Sequence, residues 1–343
     1  MSKYEYRPLP EGSIRLLRIK PNTDQGAPIE CEILVYPILD SGRTSLYEGL
    51  SYVWGSQDNP RSIRINGCEF PVGGNLYSAI SALRDRYLDR VMWVDAICIN
   101  QADKNEKGHQ VQAMARIYAQ ARGVVVWLGA GTLKTSKAIR AIQRLALLPG
   151  DTQKTDRQSG PEDPAGSQNA GSLPKPSVEC LGHGEQEAIM HLFHLPWFER
   201  VWVLQEVAAA RHVLVKAGAD EITGDAFCAG LARWLAECAE EPLDPESQLL
   251  DSTIHSVTRL MRDTELRPRN DYDTSIPARF SCNIAPLGEL IELYRSRKAT
   301  DDRDKIYALL GMSSDNPAAV GLEPDYNISW AELMQRRDRL GVY

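Results

Sequence analysis

The stretch Met92–Gly129 reads MWVDAICINQADKNEKGHQVQAMARIYAQARGVVVWLG. Met92 to Cys98 is too apolar for a half-exposed strand, which predicts a buried parallel one. Asp103 stands at an N-cap position with Glu106 three residues later, the spacing of a capping box that opens a helix. Val111, Met114, Tyr118 and Ala121 then recur at steps of three and four, an apolar stripe that faces a sheet. Val124–Trp127 is the next strand. A strand–helix–strand unit of this length predicts parallel pairing through a crossover. Asn100 and Gln101 then lie at the carboxyl end of the first strand, where open α/β sheets bind ligands.

Working toward the N-terminus, Asn75 is positioned to cap a helix running to Asp89, with Leu76, Ile80, Leu83 and Tyr87 as its stripe. Asn66-Gly67 separates Arg61–Ile65 from Cys68–Val72, a strong hairpin signal. Tyr47–Val53 and Cys31–Tyr36 read as strands, the latter ended by Pro37. Toward the C-terminus a helix is predicted over 134–148. Residues 150–177 are Gly, Ser, Pro, Gln, Asp and Lys with almost nothing apolar, a composition that predicts a flexible insert. Pro196 suits the first turn of a helix carrying FERVWVLQEVAAA. His212–Lys216 is a strand, and from about Thr223 the chain reads as mostly helical, with short helices over 289–297 and 304–310. A helical run over 330–340 close to Tyr343 is compatible with a longer parent chain. The implied organisation is an N-terminal strand region over 1–46, a domain over 47–222 and a helical extension over 223–343.

With 343 residues, 43% hydrophobic and 25% charged, the chain has an ordinary globular composition. A net charge of −7 supplies no electrostatic footprint for nucleic acid or an anionic membrane. The apolar runs are too short to span a bilayer, and MSKYEYRPLPEG is not a secretory segment. Seven cysteines, never in a C-x-x-C pair, read as reduced thiols of a cytoplasmic protein.

Three groups of residues could carry chemistry. On one helix, Trp202 and Glu206 are four apart and share a face, with Arg200 and Gln205 beside them. A carboxylate next to an indole on an apolar helix should be desolvated and its pKa raised, which suits it to bind ribose hydroxyls or steady a developing cation. The alternative is a salt bridge from Glu206 to Arg200 or Arg211. Ser51, Tyr52, Trp54 and Gly55 close a strand and open a loop, so their side chains either line the ligand edge, with rings able to stack on a base, or alternate into the core. Asp95, flanked by Val94 and Ala96, is either structurally paired or functional. Gly129-Ala130-Gly131 lacks the third glycine of a dinucleotide fingerprint and the lysine of a phosphate loop, and reads as a plain strand-to-helix turn. Cys180, His183, His191 and His194 lack metal-site spacing, and no G-x-S-x-G elbow is present.

The blocks YEGLSYVWG (47–55), MWVDAICINQ…VVVWLG (92–129) and PWFERVWVLQEVA (196–208) resemble the heterokaryon incompatibility (HET) domain of filamentous fungi. DDRDKIYALLGM (301–312) and LEPDYNIS (322–329) are similar to the segment that follows it in such proteins. The resemblance implies non-self recognition leading to growth arrest or cell death. It also implies a distant similarity to Toll/interleukin-receptor-like (TIR) domains, with a flavodoxin-like parallel sheet and, in many members, hydrolysis of NAD by a glutamate in a W-C-x-x-E pattern. Trp202 to Glu206 matches that pattern with Val203 at the cysteine position, while Arg200 replaces the serine two before the tryptophan.

The combined expectation is an α/β fold with a mainly parallel, TIR-like sheet flanked by helices, an N-terminal β-hairpin region and a helical C-terminal part. Glu206 would be catalytic in a NAD glycohydrolase. Trp202, Tyr52 and Trp54 would stack on rings, and Asn100, Gln101 and Arg200 would bind hydroxyls or phosphate. Ser51, Gly55, Asp95 and Gln205 would complete the nucleotide site. No metal or cofactor is required, NAD being the substrate. Self-association or an upstream recognition protein would be the partner. A non-catalytic adaptor is the competing reading.

Overall fold

The computed structural model of the chain describes residues 4–38, 46–148, 181–238, 245–262 and 280–338. The insert expected over 150–177 and Cys180 lie outside the described residues. Nine strands form one sheet in the order β5-β4-β2-β1-β6-β3-β7-β8-β9. They are β1 (Ser13–Ile19), β2 (Glu30–Pro37), β3 (Glu48–Tyr52), β4 (Arg61–Ile65), β5 (Cys68–Val72), β6 (Arg90–Trp93), β7 (Gly123–Trp127), β8 (Val213–Ala217) and β9 (Asp220–Thr223). The described helices are α1 (Gly74–Leu83), α2 (Asp95–Cys98), α3 (Lys104–Gln120), α4 (Leu133–Leu147), α5 (His183–Phe193), α6 (Trp202–Ala209), α7 (Gly224–Cys238), α8 (Pro245–Arg262), α9 (Leu287–Leu293), α10 (Asp304–Leu310) and α11 (Trp330–Asp338).

The sheet is mixed rather than mainly parallel. Its parallel part is the run β6-β3-β7-β8, plus a two-residue pairing of β2 with β4. Antiparallel pairing adds β1, β2 and the β4–β5 hairpin on one side and β9 on the other, and carries more of the register overall. The predicted crossover therefore does not join neighbours: α3 carries the chain from β6 over β3 to β7. β1 went unread because Arg15 interrupts its apolar pattern. That arginine is buried, donates to Glu106 at 2.5 and 3.1 Å, and reaches the Cys98 carbonyl at 3.1 Å. β9 is a four-residue edge strand too short to announce itself.

The strand expected over 92–98 ends at Trp93. Val94 turns the chain, its carbonyl accepting from the Ile97 and Cys98 N–H groups, so Asp95–Cys98 forms a single helical turn. The apolar run reflects a buried turn, which periodicity cannot separate from a buried strand. α3 begins as predicted. Asp103 accepts from the N–H groups of Asn105 and Glu106, but Glu106 accepts from Asn100 N–H and from Arg15 instead of closing a capping box. Its stripe is buried, each such side chain contributing roughly 1.5–3 kcal/mol.

α1 stops at Leu83 rather than Asp89, because Arg84 donates to the Ala27 and Pro28 carbonyls and Asp85 accepts from the Tyr87 and Leu88 N–H groups. Tyr87 is consequently exposed. Asn75 does not cap: it donates to the Val53 carbonyl and accepts from the Trp127 indole. The helix expected from Pro196 is a 3-10 turn (Pro196–Glu199), a break at Arg200-Val201, then α6. At the break the backbone pairs instead with Lys298, which donates to the Glu199 carbonyl while Val201 N–H donates to that of Lys298. Gly129 and Gly131 have φ of +114° and +83°. A Cβ on Gly131 would meet the Ala217 carbonyl at 2.9 Å, so the pair is a strand-to-helix turn packed on the β8–β9 hairpin.

Candidate functional site

Ser51 and Tyr52 end β3, and Asp95 stands two residues past the end of β6, which pairs parallel with β3, so these residues share one carboxyl edge of the sheet. Gly49 lets β3 sit close to α3: a Cβ there would stand 2.7 Å from the Tyr118 ring. Tyr118 O–H donates to the Leu50 carbonyl at 3.1 Å, fixing the strand just before Ser51.

Glu206, in the second turn of α6, faces this edge. The Trp197 indole N–H donates to Ser51 Oγ at 2.8 Å, and the Ser51 hydroxyl donates to the Glu206 carboxylate. Glu206 is 2% exposed. Burial pushes its carboxyl from the ordinary range up to about 7, against the Arg200 charge and the Ser51 bond, while nearby Asp95 adds to the rise. The raised pKa expected of Glu206 is present, and its largest cause is burial, in a site closed by Ser51 of β3 and the Trp197 turn. A direct salt bridge is not what holds it. Arg200 donates to the Tyr52 carbonyl, and Arg211 Nε donates to the Ala119 carbonyl at 2.8 Å.

Asp95 is the second acid. It accepts from the Trp54 indole at 2.8 Å and from Ala96 N–H at 2.7 Å. Its carboxyl is also raised, burial outweighing Arg200, these two donors and the nearby Tyr52. Tyr52 is buried with its hydroxyl held far into the neutral form by burial and by Asp95. Trp54, 36% exposed, and the exposed Gly55 form the outer rim. Gly55 has φ of +68°, a left-handed turn that favours glycine.

The structure thus brings together Ser51, Tyr52, Trp54, Asp95, Arg200 and Glu206. It places the remaining expected residues differently. Gln101 Nε2 donates to the Asp95 carbonyl at 3.0 Å, bracing α2. Asn100 accepts from Ala102 N–H at 3.3 Å, closing a local turn. Gln205 is buried between α3 and α10, its amide donating to the Ala308 carbonyl and accepting from Ala115 N–H, each at 3.2 Å. Trp202 opens α6 and is partly buried against the core, with Asp304 of α10 nearby. Trp197 and Asp304 were not singled out from the sequence, although both lie inside the quoted blocks PWFERVWVLQEVA and DDRDKIYALLGM.

Among the described residues no group of three or more His, Cys, Asp or Glu side chains is placed to hold a metal ion. No described helix is long and apolar enough to cross a membrane. A surface cavity lined by Lys20, Glu30, Glu32, Arg64 and Asn66 lies at the β2–β4 junction, separated from β3 by β1 and β6, and contains none of the expected site residues.

Residues 47–206, which begin just before β3 and end at Glu206, match the family described as Heterokaryon incompatibility protein (HET). The chain is also similar to "Heterokaryon incompatibility protein 6, OR allele" of Neurospora crassa, 26% identical over 350 residues. That alignment covers 93% of this chain and 50% of the relative, so the chain spans about half the length of the protein it matches. Both findings are likenesses to heterokaryon incompatibility proteins. No solved structure matches it.

Proposed function

We propose that this chain serves non-self recognition in a fungus, through a HET domain whose activation leads to cell death. We further propose that its effector chemistry is cleavage of the nicotinamide–ribose bond of NAD at Glu206, as in TIR-type domains. The observation that carries this reading is the Glu206 carboxyl itself: buried, poised near neutrality, hydrogen-bonded by Ser51 and set at the carboxyl edge of the parallel strands. In the reaction the C1′–N bond breaks and its electron pair leaves with nicotinamide, neutralising the pyridinium nitrogen. The ribose gains oxocarbenium character, which ionised Glu206 stabilises. Water then adds to C1′ and loses its proton to solvent or to a carboxylate, giving ADP-ribose.

In this reading Arg200 takes phosphate by exchanging its hold on the Tyr52 carbonyl, and Trp54 at the rim stacks on a ring. Residues 47–222 form the unit that carries the site. The protein acts in the cytoplasm, in a self-associated form or under an upstream recognition protein. The test uses the full chain at high concentration with NAD, read by chromatography for nicotinamide. Turnover that is lost in Glu206→Gln supports the reading. A demonstrably oligomeric sample with neither turnover nor nucleotide binding overturns it.

A second reading, a non-catalytic adaptor, is favoured by one observation: at 2% exposure and with Ser51 bound, the Glu206 carboxyl is closed to a substrate. Calorimetry showing NAD or ADP-ribose bound but intact would mark a related module that binds nucleotide without cleaving it.

A further inference from the structure

The strands and turns ahead of residue 47, where the HET match begins, hold the short helix that carries Asp95. Leu17 of β1 pairs with Met92 of β6, so Arg15, two residues earlier, stands level with Val94, where β6 has left the sheet to become α2. A helix of one turn leaves its last carbonyls without partners along its own backbone. In α2 two of them are met from far upstream. The Tyr6 hydroxyl donates to the Ile97 carbonyl at 2.8 Å, and Arg15 Nη1 donates to that of Cys98 at 3.1 Å. A guanidinium at this end also suits the negative pole of the turn.

Arg15 is itself built in. Its fork meets both carboxylate oxygens of Glu106, at 2.5 and 3.1 Å, and its Nη2 donates to the Arg7 carbonyl at 2.6 Å. Its central carbon lies 4.8 Å from the centre of the Tyr6 ring. Glu106 in turn accepts from the Asn100 N–H at 2.8 Å. The ion pair therefore grips the backbone on both sides of Ile99, whose own N–H donates to the Asp95 carbonyl at 3.2 Å. The two side chains are 2% and 13% exposed. Burying two charges carries a desolvation cost that their attraction barely offsets, and apolar residues of equal volume often stabilise a core as well or better. What apolar residues cannot supply is a donor for the Cys98 carbonyl and an acceptor for the Asn100 N–H.

We infer that Tyr6 and Arg15, together with Glu106, are positioning residues that fix α2 and so aim Asp95 at the Trp54 indole, 2.8 Å away at the rim of the candidate site. The frame of that site thus begins upstream of the unit 47–222. The consequence for turnover rests on the NAD-cleavage reading above; the hold on α2 does not. The hydrogen bonds of Tyr6, Arg15 and Glu106 reach neither Asp95 nor Trp54, so their effect travels through the backbone of α2.

The experiment reads the Trp54 indole N–H in the full chain labelled with nitrogen-15 tryptophan, its resonance assigned by its loss in Trp54→Phe. Exchange of that proton with solvent is slowed while Asp95 accepts it. Arg15→Met combined with Glu106→Met keeps the volume and removes both charges, and should quicken the exchange about tenfold or more. Arg90→Met combined with Glu48→Met removes an ion pair of 2.7 Å at the opposite end of β6 and β3, and should leave the exchange unchanged. An unchanged rate in the folded Arg15–Glu106 double variant overturns the inference. So does an equal rise in both double variants, which would mark general loosening. Should the first fail to fold, Tyr6→Phe with Arg15→Lys decides the matter by the same criterion, since it keeps the buried charge but gives up the hydroxyl and the fork. If the wild type releases nicotinamide, kcat/KM should fall about tenfold in the Arg15–Glu106 double variant. Faster exchange in a protein that releases none upholds the hold on α2 and fails the catalytic reading alone.

Discussion

Glu206 and Asp95 are two raised carboxyls at one edge of the sheet, under the same Arg200, yet they are built for different work. Asp95 starts a single helical turn, is half-buried, and takes hydrogen bonds from Trp54 and Ala96. Glu206 sits inside a regular helix, is almost fully enclosed, and takes one bond, from Ser51. Two donors at a partly open rim anchor a carboxylate; one donor in an apolar enclosure leaves it close to changing its proton near neutrality. Burial alone does not make a chemical group, and the supply of donors separates an anchor from a poised acid.

The sharpest way to break this comparison is Glu206→Gln, which keeps an acceptor for Ser51 while removing the charge. Nicotinamide release should fall on the order of 100- to 1000-fold, measured by chromatography. Unchanged release would hand the chemistry to Asp95. Next in size is stability against pH. The folded pKa of Glu206, about 7, lies above the ordinary 4.5 of a glutamate carboxyl, so the folded state binds the extra proton. This group's favourable contribution is complete below pH 4.5 and is lost as pH rises to about 7, a change on the order of 3 kcal/mol. Denaturant titrations at pH 5 and 8 should show that loss in the wild type and a flatter dependence in Glu206→Gln.

At the anchor, Asp95→Ala leaves the Trp54 indole without its acceptor and opens a gap beside Tyr52, costing about 1–3 kcal/mol at neutral pH by the same titration. Smaller again is Ser51→Ala, which removes the bond that favours ionised Glu206. Nicotinamide release rises with pH as Glu206 ionises, so the midpoint of that rise should move upward in Ser51→Ala. Trp54→Phe deletes one of the two donors to Asp95 at a partly exposed rim and should cost no more than about 1 kcal/mol.

Much of this was legible without coordinates. The β4–β5 hairpin announced itself in Asn66-Gly67, α3 in Asp103 and its apolar stripe, and α10 falls on the expected 304–310. The desolvation of Glu206 followed from its apolar helix. Less legible is the run Met92–Cys98, where a buried turn and a buried strand carry the same composition.

The order of strands, too, was invisible. β1 pairs with β6 across some seventy residues and inserts an antiparallel strand beside the parallel run, which no local pattern encodes. By itself the sequence determined the local elements, the apolar faces and the resemblance to heterokaryon incompatibility domains, because capping, turn chemistry and periodicity act over a few residues. Only the tertiary structure decided which acid is anchored and which is poised. That depends on how many donors distant segments bring to each carboxylate, and chain spacing does not set it.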